Sequence, residues 1–380
     1  MAQFLYIHVP FCEARCPYCD FFTLGKGAQA QELANAWLEL AGRELELWIE
    51  AGDVSPSDPV ATIYFGGGTP SLLSGQAMRR FLDQVGRHVT FAPDIEVTVE
   101  MQPRTADLEK LRSYAEAGVN RFSIGAQTFS SELLALLERR HSVADTVELI
   151  RDAQRFGRVS IDLIAALPGQ TLEQWQEDLE TALSFSPVHL SIYELTYYPD
   201  TRLRTWLEEG RVHQADEDLR LAILDWTIEH LTSAGYEHYE ISNFAKPGLR
   251  SRHNENYWRL GNYVGLGAGA HSFIFPHRYV NPPDVNAYSK IVRAGQLARQ
   301  LADARDENIF LLENIFMGLR LVEGIELAQF RQRFGVDVIA CYFDRLAPLV
   351  EEGFLEITQT HLRLTRKGLM RADAVVGYLV

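Results

Sequence analysis

From Phe4 to Leu195 the chain alternates short apolar runs with longer amphipathic ones, and that rhythm narrows it to one class of fold. Phe4–Val9 reads as a strand, Ala30–Glu50 as a long amphipathic helix, and Val60–Phe65 as a strand running straight into Gly66-Gly67-Gly68-Thr69-Pro70. A helix near Gln76–Val89, a strand over Ile95–Glu100 and a helix over Ala106–Ala117 follow. The last of these ends at Gly118, where a glycine stop belongs. Arg121–Gly125, Val159–Leu167 (apolar apart from Ser160 and Asp162) and His189–Leu195 complete six strands. Near-continuous apolar strands separated by helices imply a parallel sheet with covered faces. Six such units suit an open, partial (β/α)6 barrel, whose reactive groups belong at the C-terminal strand ends.

Beyond about Phe244 the alternation stops, and glycines gather in Gly261-Asn-Tyr-Val-Gly265-Leu-Gly267-Ala-Gly269-Ala-His271. Helices are expected over Glu307–Leu321, Glu326–Phe334 and Val338–Glu352, then a hairpin of Phe354–Thr358 and Leu362–Thr365. The expected organisation is a core over 1–245 and an α+β C-terminal domain over 246–380, winged-helix-like from about 307. Cys341 shares helical spacing with Val338, Ile339, Tyr342, Phe343 and Leu346, which predicts a buried packing residue.

The chemistry concentrates just after the first strand, in Cys12-Glu13-Ala14-Arg15-Cys16-Pro17-Tyr18-Cys19. Thiolates are soft ligands for zinc, copper(I) or iron–sulfur clusters. A closed cubane or structural zinc takes four protein ligands, and the only other cysteine is the distant Cys341. Three local thiolates therefore suggest a cluster with one iron left open to a small molecule. A zinc site, or three unrelated core cysteines, is the alternative.

Composition removes several function classes. A net charge of −15 argues against a nucleic-acid backbone as partner. No run approaches the about 18 apolar residues of a membrane span, and the N-terminus shows no secretion signal. Four cysteines in 380 residues form no disulfide framework, and an oxygen-sensitive cluster favours the reducing cytoplasm.

The cysteine spacing and its setting resemble the radical S-adenosylmethionine (SAM) superfamily, in which the open iron chelates SAM. Nearly the whole chain is similar to the heme-chaperone family, relatives of the oxygen-independent coproporphyrinogen III oxidases. Matching segments include Gly66-Gly-Gly-Thr-Pro-Ser, Gly118-Val-Asn-Arg-Phe-Ser-Ile-Gly-Ala-Gln127, Leu167-Pro-Gly-Gln-Thr171, Tyr239-Glu-Ile-Ser-Asn-Phe-Ala245 and Tyr263-Val-Gly-Leu-Gly-Ala-Gly-Ala-His271. The chain departs from the family at Glu100-Met-Gln102-Pro103, where Glu-Ala-Asn-Pro is usual, and at Glu138 and Ala166, where glycines are usual.

The resemblance implies cluster ligation by Cys12, Cys16 and Cys19, and SAM contacts at Tyr6, Tyr18, Gly67, Gly68, Thr69, Glu100, Gln127, Arg139 and Asp162. Those residue types suit the task. Glycines admit a ligand to backbone groups, carboxylates accept from ribose hydroxyls or an ammonium, and an arginine forks onto a carboxylate. The plainer alternative makes Glu100 and Asp162 loop caps and Arg139 a surface charge. The segment His253-Asn254-Glu-Asn-Tyr257 resembles a motif associated with heme binding, with Arg250, Arg252 and Arg259 near enough in sequence to meet propionates. Imidazole and phenolate are both heme ligands. Alternatively Asn254 caps a helix and His253 steadies a loop.

The porphyrin-oxidising relatives carry a longer N-terminal extension and a further cysteine two residues after the third ligand, a position held here by Phe21. The expected function is therefore heme delivery to an acceptor protein, such as a membrane-bound respiratory enzyme. The runner-up is oxidative decarboxylation of coproporphyrinogen III.

Overall fold

The computed structural model describes residues 3–302 and 307–379; Met1, Ala2, residues 303–306 and Val380 lie outside them. The chain divides into two compact units, Met1–Asp216 with Asn262–Asp303, and Glu217–Gly261 with Ala304–Val380. The units interleave in sequence, so the boundary expected at 245/246 falls inside the second unit.

The first unit holds β1 (Gln3–Val9), α1 (Ala30–Glu50), β2 (Val60–Gly67), α2 (Gly75–His88), β3 (Phe91–Met101), α3 (Leu108–Ala117) and β4 (Arg121–Gln127). After these come α4 (Ser131–Leu136), α5 (Val143–Ala153), β5 (Arg158–Ala165), α6 (Leu172–Ser184), β6 (His189–Glu194) and β7 (Val264–Leu266). Their sheet order is β7-β1-β2-β3-β4-β5-β6, every pair parallel. This is the expected partial barrel with one strand more. The glycine-rich segment returns as β7, with Val264 opposite Leu5 and Gly265 opposite Tyr6. Three residues flanked by glycines carry too little pattern to announce a strand.

The strands are not apolar on both faces. Ile7, Phe65, Val99, Ile124, Ile161 and Leu190 are buried on one face, where helices cover them. The alternate positions hold Tyr6, Tyr64, Glu100, Ser123, Asp162 and Ser191. Successive side chains point to opposite faces, so one face is hydrophobic packing and the other is a polar barrel interior. Each fully buried Phe or Leu on the packing face contributes about 1.5–3 kcal/mol. Local signals fix the helix starts: Ser142 and Thr171 form capping boxes with Asp145 and Gln174, each cap worth about 1 kcal/mol. Gly118 ends α3 at φ 113°, a conformation that costs other residues a Cβ clash.

In the second unit, Asn243–Ala245 pairs antiparallel with Glu237–Glu240. Helices Glu307–Leu319, Leu327–Phe334, Val338–Cys341 and Phe343–Glu351 accompany a three-stranded sheet of Ile325–Glu326, His361–Leu364 and Leu355–Ile357. Its core includes Ile315, Leu319, Leu346, Leu355 and Leu362. The helix–strand–helix–helix–hairpin order matches the winged-helix-like expectation.

Cys341 does not: it is exposed. The single helix expected over Val338–Glu352 breaks at Tyr342, whose φ −119° and ψ 22° are not helical. Val338 and Leu346 stay buried while Cys341 and Phe343 turn outward.

Candidate functional site

The cysteine loop leaves the end of β1 and is tied at its base. Phe11–Cys12 pairs with Leu24–Gly25, Leu24 N donates to Pro10 O at 2.7 Å and Lys26 N to Cys12 O at 2.8 Å. His8 Nε2 lies 2.8 Å from Phe22 O, which makes Nε2 the donor and leaves Nδ1, 3.0 Å away, to accept from the Tyr6 hydroxyl. Burial lowers the His8 pKa, in keeping with that neutral ring. Cys12 is buried, Cys16 and Cys19 half-buried.

Burial pushes the Cys12 thiol up to about 11; the Thr69 hydroxyl opposes this, and Cys19 and Cys16 push the same way. Like charges disfavour one another's ionised form, so three adjacent thiolates need a cation among them, and a metal coordinated there inverts that logic. Among the described residues no three His, Cys, Asp or Glu side chains are drawn together as a ready chelate. The loop fits a metal centre in donor type: three thiols on one short segment. Arg139 adds a second sign of fit. Its Nη1 is 3.4 Å from Cys16 Sγ and its Nη2 3.3 Å from Gly125 O, while its buried Nε has no partner. Tyr18 belongs to the same cluster: burial raises its hydroxyl pKa and the Arg139 guanidinium opposes that rise.

The glycine turn after β2 is tighter than its sequence implied. Gly68 N donates to Val9 O at 2.8 Å and Thr69 N to Phe11 O at 2.9 Å. The Gly68 and Thr69 N–H groups are therefore committed to the protein, and a ligand there meets carbonyls and the Thr69 hydroxyl. Gly67 has φ 106°, and a Cβ on it would sit 2.7 Å from the His8 ring. A Cβ on Gly68 would sit 2.8 Å from Val9 O and 3.0 Å from Cys12 Sγ. Thr69 Oγ1 reaches Gln102 Oε1 at 3.3 Å, so the glutamine standing where the family has asparagine braces the turn.

Inside the barrel, Tyr6 stacks on Tyr64, whose hydroxyl donates to Glu100 Oε1 at 2.9 Å. Burial raises Glu100 to about 7, helped by Asp162 and opposed by Tyr64 and Gly67. Asp162 is raised to about 6 by burial, opposed by hydrogen bonds from Ser191, Ser123 and Ser160 and by Arg121. Ser123 Oγ lies 3.1 and 2.9 Å from its two oxygens. The two acids are thus not loop caps but interior acceptors. Gln127 ends β4 at φ 66°, beyond a register shift, and its Nε2 would be 2.7 Å from a Cβ on Gly125. Glu138 and Ala166 have φ 50° and 58°, which explains why glycine is usual there. Tyr64, His8, Gln102 and the three serines escaped the sequence reading, although a period-two scan of the strands places them on one face.

The heme-motif residues lie in the second unit and are engaged there. His253 is 1% exposed, its Nε2 2.8 Å from the Tyr257 hydroxyl, and burial lowers its pKa to about 3. Ser251, not Asn254, caps the helix Arg252–Trp258. Arg250 pairs with Glu237 and Glu255, and Arg259 with Glu255 and Glu323, so these two guanidinium groups are already neutralised.

A partial parallel barrel with a three-cysteine loop beyond its first strand defines the radical SAM class. The Radical SAM superfamily pattern matches residues 6–182, and the HemN C-terminal domain pattern matches residues 306–371. The chain is 37% identical over 333 residues to the heme chaperone HemW of Synechocystis sp., covering 85% of this chain and 79% of that one. It is 33% identical to the heme chaperone HemW of Bacillus subtilis (98% and 97% covered) and 34% identical to that of Escherichia coli (98% and 96%). The chain belongs to the heme chaperone HemW family. Coproporphyrinogen III oxidase (HemN) from Escherichia coli, a radical SAM enzyme, shares its fold, with a TM-score of 0.82 at 22% identity over 100% of this chain and 90% of that one.

Proposed function

We propose that this protein is a heme chaperone that carries a [4Fe–4S] cluster and SAM, binds heme and passes it to an acceptor protein. The observation carrying the reading is likeness to heme chaperone HemW relatives along 96–99% of the chain in several bacteria. Phe21 supports it: the position where porphyrin-oxidising relatives carry another cysteine holds a phenylalanine 65% exposed.

In this reading Cys12, Cys16 and Cys19 hold the cluster, which supplies an open iron and one-electron chemistry when bound. The chain's own residues orient SAM: carbonyls of Gly67 and Gly68 and the Thr69 hydroxyl on one side, Glu100 and Asp162 as acceptors, and Arg139 on a carboxylate. Tyr6, Tyr18 and Gln127 close the remaining sides. The proposed division of labour gives 1–245 the cluster and SAM, and 246–380 a C-terminal domain that is winged-helix-like from about 307. Delivery from the cytoplasm to a membrane-bound respiratory hemoprotein suits a chain with no membrane-crossing helix among its described residues.

His253 and Tyr257 are the proposed heme ligands, and ligation requires their mutual hydrogen bond to open. His271 is exposed at the start of the strand His271–Ile274 and is the second candidate. Heme titration of anaerobically reconstituted protein, beside a coproporphyrinogen III turnover assay, tests the reading. Heme should bind without turnover. His253→Ala should shift the Soret band, and a shift in His271→Ala alone moves the ligand. Protoporphyrinogen formation places the protein among the oxidases instead.

A further inference from the structure

Glu44 lies within α1 and is completely buried. Its Oε2 accepts from Gly267 N at 2.8 Å and from the Tyr288 hydroxyl at 2.6 Å; its Oε1 accepts from Asn281 Nδ2 at 2.7 Å. The same Asn281 nitrogen donates to Gly267 O at 2.9 Å. Every partner lies more than 220 residues away in sequence. A buried carboxylate carries a desolvation penalty of several kcal/mol that only well-placed donors offset, so its use here fixes a geometry.

That geometry leads to the cysteine loop by two routes. Gly267 and Gly269 lie against the loop's ends: a Cβ on Gly267 would sit 2.7 Å from His8 O, and one on Gly269 2.8 Å from the Phe22 ring. Tyr288 packs on Trp37 with ring centroids 4.6 Å apart, and Trp37 Nε1 donates to His8 O at 3.0 Å. His8 and Phe22 bracket the three cysteines and are joined by the 2.8 Å bond from Nε2 to the carbonyl. The contacts close into a ring through Glu44, Tyr288, Trp37, His8, Phe22 and the Gly267–Gly269 turn.

We infer that Glu44 is a positioning residue for the cysteine loop, holding His8 and Phe22 together so that the loop's base stays narrow enough to retain a cluster. The inference rests on the reading that this loop holds one. A glutamine at 44 offers one acceptor atom to three donors and turns its NH2 toward another donor, so Glu44→Gln should loosen the ring at nearly constant volume.

The test uses full-length reconstituted protein. Iron release to a chelator should accelerate about fivefold or more in Glu44→Gln. Amide exchange should quicken over residues 265–270 and 9–23 while β4 and β5 are unaffected. Trp37→Phe, which keeps a ring and loses the donor to His8, should accelerate release as well and serves if Glu44→Gln fails to fold. A Leu111→Ala protein supplies a comparison destabilised away from the ring. Iron release at the wild-type rate in Glu44→Gln, or acceleration no greater than in Leu111→Ala at equal loss of unfolding midpoint, overturns the inference. If the wild-type protein never retains iron, the cluster reading fails instead, and the exchange pattern still decides whether Glu44 governs the loop.

Discussion

Replacing Gly68 by alanine should cost the protein its cluster before it costs SAM affinity. A Cβ at this position would stand 2.8 Å from Val9 O, 2.9 Å from Phe11 O and 3.0 Å from Cys12 Sγ. Two of those atoms are backbone, so no rotamer change relieves the contact. They also accept the hydrogen bonds from Gly68 N and Thr69 N. Overpacking of this kind costs about 1–3 kcal/mol, and each hydrogen bond pulled apart adds about 1 kcal/mol. The relief available is to push the Val9–Cys12 segment away, which moves the first thiol of the loop. Iron and sulfide content after anaerobic reconstitution should fall, and the urea midpoint of the unreconstituted protein should drop. Gly86→Ala is the control. Its Cβ meets only the Phe91 ring at 3.6 Å, and alanine in the last turn of α2 should be neutral or stabilise by up to about 1 kcal/mol. Full iron content with SAM affinity alone reduced in Gly68→Ala would show that the turn serves the ligand and not the cysteine segment, refuting the argument.

The same geometry sets the pH dependence and the effects of substitution at the cysteines and at Glu138. SAM affinity should fall as pH drops through about 7 and then about 6, because Glu100 and Asp162 are raised to those values and lose the charge that accepts. The same two groups should make the SAM-free protein more stable toward low pH: a raised folded pKa contributes stability present below the unfolded pKa and lost as pH rises through the folded one. Calorimetric titrations and urea midpoints across about pH 5 to 8 check both signs, and a flat SAM profile refutes the first. Cys341→Ser should leave iron content and stability within about 0.5 kcal/mol of wild type, since the side chain is exposed, whereas alanine at Cys12, Cys16 or Cys19 should abolish the cluster absorbance. Glu138→Gly relieves a φ of 50° worth about 1 kcal/mol and loses an exposed ion pair to Arg202 worth about 0–1 kcal/mol. Its unfolding midpoint should therefore stay level or rise.

What the sequence disclosed, and what it hid, follow one physical division. The cysteine loop was legible because all three thiols lie within eight residues and their spacing alone bounds the chemistry. The six strands from Phe4 to Leu195 and the first three helices were legible because hydrophobic period is a local property, whereas α4, α5 and α6 were not placed. The polar interior was harder, since Ser160 and Asp162 look like interruptions of an apolar run until their alternation with Ile161 is read as a second face. The Glu44 carboxylate was invisible, because its donors sit at 267, 281 and 288, joined to it only by the folded chain. His253 and Cys341 mark the limit of side-chain type as a guide: the imidazole resembling a heme ligand is buried, and the thiol expected to pack is outside.

The late return of β7 sets a schedule for synthesis. β1 is among the first elements to leave the ribosome, yet the strand that covers its far edge, Val264–Leu266, emerges about 250 residues later. At about 5–20 residues per second that edge waits roughly 10–50 s with its backbone groups unpaired. Unpaired edges template association with other chains, and here the exposed edge adjoins the segment bearing three oxidisable thiols. A chain that has not yet been made as far as residue 264 therefore presents an uncovered strand edge and a thiol-bearing loop side by side.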